Sequence, residues 1–275
     1  MTLNVGHITY ANCAPFFHYL PEFGFDGNIV AGVPAELNRQ LASGTIDVSP
    51  SSSFEYARNW RRYLLLPGQA ISSYGAVKSV LLFSERPVEE LDGVEIALTG
   101  ESATSIHLLQ IILREFFLHR QFRCRVPRQP VEEIVASGRP ALLIGDRALR
   151  AAMGTKSQGA IHDLGELWYR FTGLPFVFAL WILRREAAED KREEVRSLIA
   201  QLSRSRQQAF ASLDALAAER PERQWFGQGP LVDYWQTMSY DLTDEHIRGL
   251  KLFFELACKY EMIPDVPEIC FFSDL

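Results

Sequence analysis

Three stretches of this chain place amide or hydroxyl side chains where a strand hands over to a helix, which suits the capture of a small anion. The first is Tyr10-Ala11-Asn12-Cys13-Ala14-Pro15, where the amide of Asn12 can both donate and accept at the carboxyl end of a strand. The second is Asp47-Val48-Ser49-Pro50-Ser51-Ser52-Ser53-Phe54, with Ser51 and Ser52 at an expected helix start. The third is Leu98-Thr99-Gly100-Glu101-Ser102-Ala103-Thr104-Ser105, again between a strand and a helix. Backbone N–H groups at a helix start carry partial positive charge, so Ser52, Ser102, Thr104 and Ser105 are candidate carboxylate or phosphate anchors. The same residues also serve as plain helix caps, and the two uses are compatible. Ser79 sits among Val77, Val80, Leu81 and Leu82, where a hydroxyl needs either a ligand or a backbone partner. Asp146 follows Leu143-Ile144-Gly145 and reads as a base, a hydroxyl acceptor or a cap.

The elements that must carry these residues alternate between strand and helix. Strands are expected over 4–10, 28–33, 45–49, 94–99, 123–126 and 140–144, with helices from Pro15, over 34–43, from Ser51 to Trp60, and over 104–118 and 130–137. A long extended segment, 70–84, is interrupted at Gly75. Such alternation argues for βαβ units and a mainly parallel sheet. Pro34 stands at a favourable first-turn position, and Gly44 supplies the stop. The apolar run from Phe176 to Leu183 is far shorter than a membrane helix and reads as a buried strand returning the chain to its first unit. Beyond it, Val195, Leu198, Ile199 and Leu202 follow helical spacing, and Thr243 resembles a helix N-cap ahead of Asp244, Glu245 and His246. These helices look like scaffold. The expected fold is therefore two α/β lobes, 1–85 with 181–275 and an inserted 86–180, closing on a cleft, with a helical C-terminal region.

Composition narrows the function. The chain has 275 residues, 47% of them hydrophobic, and a net charge of -6, so no global basic field exists and nucleic acid is not an expected partner. Cys13, Cys124, Cys258 and Cys270 form no C-x-x-C pair and read as reduced thiols. The six histidines show no H-x-x-x-H spacing, so no metal site is expected. G-x-S-x-G, P-loop and G-x-G-x-x-G signatures are all missing, and no nucleotide cofactor is expected. The first residues do not read as a secretory signal, so a cytoplasmic location is expected, with no membrane partner. Oligomeric state is left open.

Several ordered motifs carry a family resemblance. Gly6-His7-Ile8-x-Tyr10-x-Asn12-x-x-Pro15, Val33-Pro34-x-x-Leu37-Asn38, the run Gly44-x-Ile46-Asp47-Val48-Ser49-Pro50-x-Ser52-Ser53-x-Glu55-Tyr56-Ala57, and Glu101-Ser102-x-Thr104-Ser105 resemble the chorismate dehydratases of the futalosine route to menaquinone. The resemblance spans about the first 185 residues. It implies a periplasmic-binding-protein type II fold and the loss of water from chorismate to give 3-[(1-carboxyvinyl)oxy]benzoate, without a cofactor. Carried over, the pattern makes Asn12 and Ser79 the residues that hold the reacting geometry, and Ser51, Ser52, Ser102, Thr104, Ser105 and Asp146 substrate contacts. No histidine falls inside a matching motif, which leaves the substrate's own enolpyruvyl carboxylate as a candidate for taking the C3 proton. Two rival readings remain: a related dihydroxynaphthoate-forming enzyme with a histidine base, and a small-anion binding protein without catalysis.

Overall fold

The computed structural model describes residues 2–154 and 160–272. In chain order its strands are β1 (Asn4–Ile8), β2 (Asn28–Gly32), β3 (Val48–Ser52), β4 (Tyr63–Ser73), β5 (Val80–Ser84), β6 (Glu95–Leu98), β7 (Arg123–Arg125), β8 (Ala141–Ile144), β9 (Ala160–Asp163), β10 (Phe176–Arg184) and β11 (Ser239–Leu242). They form two sheets, one ordered β11-β4-β10-β3-β1-β2 and the other β7-β6-β8-β5-β9.

The unbroken apolar run of β10 explains its place. Every residue from Phe176 to Leu183 is buried, and the strand lies between β3 and β4 with neighbours on both edges. The chain leaves the first sheet along β4 and comes back along β10, so the two lie side by side and antiparallel, with Phe176 opposite Ser73. That return corrects the expectation of a mainly parallel sheet. Only β1 with β2 and β3, and β6 with β7 and β8, pair in parallel, and both sheets are mixed. The chain passes from one sheet to the other between β4 and β5, and it returns to the six-stranded sheet with β10.

Two further elements differ from expectation in ways that matter for the site. The strand expected over 45–49 is β3, three residues later, so Ser51 lies inside it, paired with Leu180, and only Ser52 reaches the helix start. The extended segment 70–84 is two strands in two sheets, joined by an irregular crossing from Tyr74 to Ser79, with left-handed backbone at Gly75 (φ 84°) and Lys78 (φ 60°). β9, the helix Leu164–Thr172 and β11 were not anticipated.

The helices follow their local signals. Helix Pro34–Ser43 opens on its proline and ends at Gly44, whose φ of 83° admits the left-handed cap. Helix Ala103–Ile111 continues into a wider π turn, Ile112–Phe116. In the C-terminal region, helix Arg192–Ala211 buries Val195, Leu198 and Leu202 while Ile199 is half-buried. Thr243 and His246 form a reciprocal cap on helix Asp244–Lys259, which packs on β10 and on helix Ala103–Ile111. No helix among the described residues is long and apolar enough to cross a membrane.

Candidate active site

A cavity that opens to solvent lies between the two sheets. Its apolar lining includes Ile8, Ile71, Val77, Val80, Ile144 and Phe178, and its polar lining is Tyr10, Asn12, Ser52, Ser79, Ser102 and Ser105. Five of the eight residues singled out from sequence, Asn12, Ser52, Ser79, Ser102 and Ser105, therefore meet on one cavity, although they come from four segments of the chain. Ser51, Thr104 and Asp146 are not on its lining.

Asn12 is positioned by the loop that follows β1. There the chain forms a tight turn, Ala11–Cys13, before the short helix Ala14–Phe17, with Pro15 in its first turn. Two buried donors from the C-terminal region clamp this turn: the Trp235 indole N–H donates to the Ala11 carbonyl at 2.8 Å and the Tyr240 hydroxyl to the Asn12 carbonyl at 2.9 Å. With the backbone held, the Asn12 Oδ1 is buried and has no hydrogen-bond partner. A buried acceptor without a donor is costly, and a ligand hydroxyl would satisfy it.

Ser79 closes the irregular crossing between the sheets. Its carbonyl accepts from Gly145 N–H at 2.7 Å, and its Oγ accepts from the Tyr234 hydroxyl at 2.8 Å. The crossing is pinned by Asp163, whose carboxylate accepts Val77 N–H at 3.0 Å and Lys78 N–H at 2.6 Å and also caps helix Leu164–Thr172. Gly145 is required where it stands: it has a φ of 56°, and a Cβ would lie 2.7 Å from the Tyr10 ring.

The two serine-bearing helix starts meet each other as well as the cavity. Ser52 caps helix Ser53–Asn59 through Glu55 N–H, and Ser102 caps helix Ala103–Ile111 through Ser105 N–H. Ser102 also donates to the Ser105 hydroxyl at 3.1 Å. Thr104, expected to anchor substrate, instead accepts Phe54 N–H at 3.0 Å, and the Phe54 ring stacks on His107 at 3.6 Å. It fastens one helix start to the other. The Ser51 Oγ is buried within β3 without a partner, and Ser51 is not among the cavity-lining residues.

The electrostatics of the cleft are those of neutral donors. No carboxylate, imidazole, ammonium or guanidinium stands among the lining residues. The Tyr10 hydroxyl donates to Glu101 at 2.8 Å, and Glu101 in turn pairs with Arg147 at 3.0 Å; burial and the adjacent carboxylate push the phenol well above its usual range. Burial likewise keeps the Tyr234 phenol protonated. Asp146, one residue beyond Gly145, accepts Ala11 N–H at 3.0 Å and so ties the loop after β1 to the second sheet. Burial pushes its carboxyl up to about 6, opposed by that hydrogen bond. All four cysteines are free, and among the described residues no group of three acidic, histidine or cysteine side chains could hold a metal ion.

Sequence reasoning missed Tyr234 and Trp235 on helix Gln228–Thr237 and Tyr240 on β11, in a C-terminal region that reads from sequence as scaffold. Their only local signal is aromatic residues at core positions, which any buried helix or strand carries. Their hydroxyl and indole donors reach the site from more than 150 residues away.

A chorismate dehydratase from Thermus thermophilus is 34% identical over 262 residues, covering 90% of this chain and 92% of that protein. A 1,4-dihydroxy-6-naphtoate synthase from the same organism is 24% identical over 229 residues, covering 80% and 75%. Among solved structures, the periplasmic aliphatic sulphonate binding protein SsuA from Escherichia coli superposes with a TM-score of 0.68 at 16% identity, covering 98% of this chain and 90% of that one. The fold is thus the two-lobed periplasmic-binding-protein type expected from the motifs. With a family model described as menaquinone biosynthesis matching residues 3–259, this chain belongs to the menaquinone biosynthesis family.

Proposed function

We propose that this protein is a chorismate dehydratase, a hydro-lyase that removes the C4 hydroxyl and the C3 proton of chorismate and releases 3-[(1-carboxyvinyl)oxy]benzoate. The observation that carries the reading is the buried, unpartnered Oδ1 of Asn12 on a cavity shared with the Ser79 hydroxyl. An acceptor of that kind fits a substrate that brings its own hydroxyl. Ser79 lies on the same cavity as a donor to a substrate oxygen, and Ser52, Ser102 and Ser105 supply further hydroxyls for the carboxylates.

Departure of the C4 hydroxyl and loss of the C3 proton make the ring aromatic, so the site has mainly to hold and polarise the substrate. The lining carries no protein base, and this supports proton removal by the substrate's enolpyruvyl carboxylate. The lining offers that carboxylate no cationic partner, which leaves it more basic than an ion-paired one. Asp146 is engaged with Ala11 N–H and stands behind Gly145, so its role is to join the lobes rather than to touch substrate. The same lining has no histidine, which weighs against a naphthoate-forming enzyme with a histidine base, as do the identities of 34% and 24%.

Two broader features go with this reading: a cytoplasmic location, and an inserted lobe of about residues 86–180 that moves against the rest of the chain about the β4 and β10 crossings. Incubating the protein with chorismate and following aromatic absorbance and the loss of one water by mass tests the activity. No aromatic product would sink it. A chorismate analogue without the enolpyruvyl carboxylate should bind and fail to react, whereas its dehydration at an ordinary rate would remove the substrate-base step.

A further inference from the structure

The Ser79 hydroxyl has one proton and two lone pairs, so what it offers a ligand depends on who donates to it. Its backbone is fixed on both sides. Asp163 holds Val77 and Lys78 N–H, Lys78 is locked in a left-handed conformation, and the Ser79 carbonyl receives Gly145 N–H. The side chain receives a 2.8 Å hydrogen bond from Tyr234, a fully buried phenol on helix Gln228–Thr237. The serine's own proton has only the Val77 carbonyl at 3.3 Å, long for a hydroxyl donor. With the Tyr234 proton occupying one lone pair, the serine proton is the part left to face the cavity.

We propose that Tyr234 is a positioning residue that sets the polarity of Ser79: by donating to the serine oxygen it commits the serine hydroxyl to donate to a substrate oxygen in the cleft. The C-terminal region then belongs to the catalytic machinery, because helix Gln228–Thr237 supplies the Tyr234 donor to Ser79 and the Trp235 donor to the Asn12 turn, and β11 supplies the Tyr240 donor to the same turn. The proposal rests on the chorismate-dehydrating reading. A tyrosine kept only to fill the core would be replaced by phenylalanine with loss of stability alone. A polarity-setting tyrosine is coupled to Ser79.

The test is a double-mutant cycle with Tyr234→Phe and Ser79→Ala, reading kcat and KM with chorismate and the dissociation constant of the aromatic product by calorimetry. Tyr234→Phe alone is expected to lower kcat about tenfold with KM within about twofold, and to change kcat by less than about twofold when Ser79 is already alanine. If Ser79→Ala turns over too slowly to measure, the product dissociation constants complete the same cycle and should be coupled in the same sense. Equal effects of Tyr234→Phe in both backgrounds, or no effect in either, overturn the inference while leaving the dehydratase reading intact. Failure of the unmodified protein to dehydrate chorismate takes both down and is seen before any variant is made.

Discussion

At the start of helix Ser53–Asn59, Ser52 caps Glu55 N–H and the next free amide, that of Phe54, goes to Thr104. At the start of helix Ala103–Ile111, Ser102 caps Ser105 N–H and donates to the Ser105 hydroxyl. The two starts carry similar sequences, yet the fold uses part of one to hold the other. The polar groups of the Asn12 turn and the Ser79 crossing behave differently. The Asn12 turn and the Ser79 crossing have their backbones clamped by donors from elsewhere, Trp235 and Tyr240 on the one and Gly145 N–H on the other, while on the cavity the Asn12 Oδ1 is unpartnered and the Ser79 Oγ accepts from Tyr234. A hydroxyl at a helix start can be spent within the fold, as Thr104 is on Phe54 N–H, so it marks a ligand contact less surely than a buried acceptor left without a partner, such as the Asn12 Oδ1.

This contrast can be broken most directly at Asn12. Asn12→Ala removes the unpartnered acceptor and should lower kcat by about 100-fold or more, measured at saturating chorismate, with the fold unchanged by circular dichroism. A receptor without chemistry would show no turnover in either form.

The next largest effect is on pH-dependent stability at Asp146. Its folded carboxyl titrates near 6 instead of 3.8, so its favourable contribution is full below pH 3.8 and is lost as pH rises through 6. Asp146→Asn keeps an acceptor for Ala11 N–H without the charge. The variant should gain stability over the unmodified protein as pH rises from 4 to 6, reaching about 3 kcal/mol above pH 6, read from urea unfolding at each pH. A difference that is flat with pH would show that the carboxyl is not buried in its charged form.

Thr104→Val keeps the shape but leaves the buried Phe54 N–H without its acceptor, and should cost about 1–3 kcal/mol in thermal or urea unfolding with kcat within about threefold. A large loss of kcat with unchanged stability would return Thr104 to the substrate. The smallest effect is expected at Ser51, buried in β3 and off the cavity. Ser51→Ala should leave kcat unchanged and stability within about 1 kcal/mol, whereas Ser52→Ala should lose about 1 kcal/mol with its cap.

Much of the architecture was legible because it is written in local patterns. Pro34 and Gly44 bound a helix, the apolar run of β10 marks a central strand, and Thr243 starts the last helix. Strand limits were less legible where apolar and hydroxyl residues mix. Val48-Ser49-Pro50-Ser51-Ser52 carries no alternation, so β3 could be placed only by its pairing with β10, and that shift of three residues moved Ser51 off the site. Segment 70–84 reads as one strand because the change of sheet at Gly75 and Lys78 is a matter of backbone angles that apolar neighbours do not reveal.

The sequence by itself determined the alternation of strands and helices and the cleft between two units, and it singled out eight candidate residues, most of them at strand–helix junctions, of which Asn12, Ser52, Ser79, Ser102 and Ser105 line the cavity. Only the tertiary structure decided what each of them can do. Hydrogen-bond capacity is fixed by partners far along the chain: Thr104 is taken by Phe54, Asp146 by Ala11, and Ser79 is turned into a donor by Tyr234. The site's chemistry depends on which polar atoms the fold leaves unpaired, and that count closes only when the whole chain is in place.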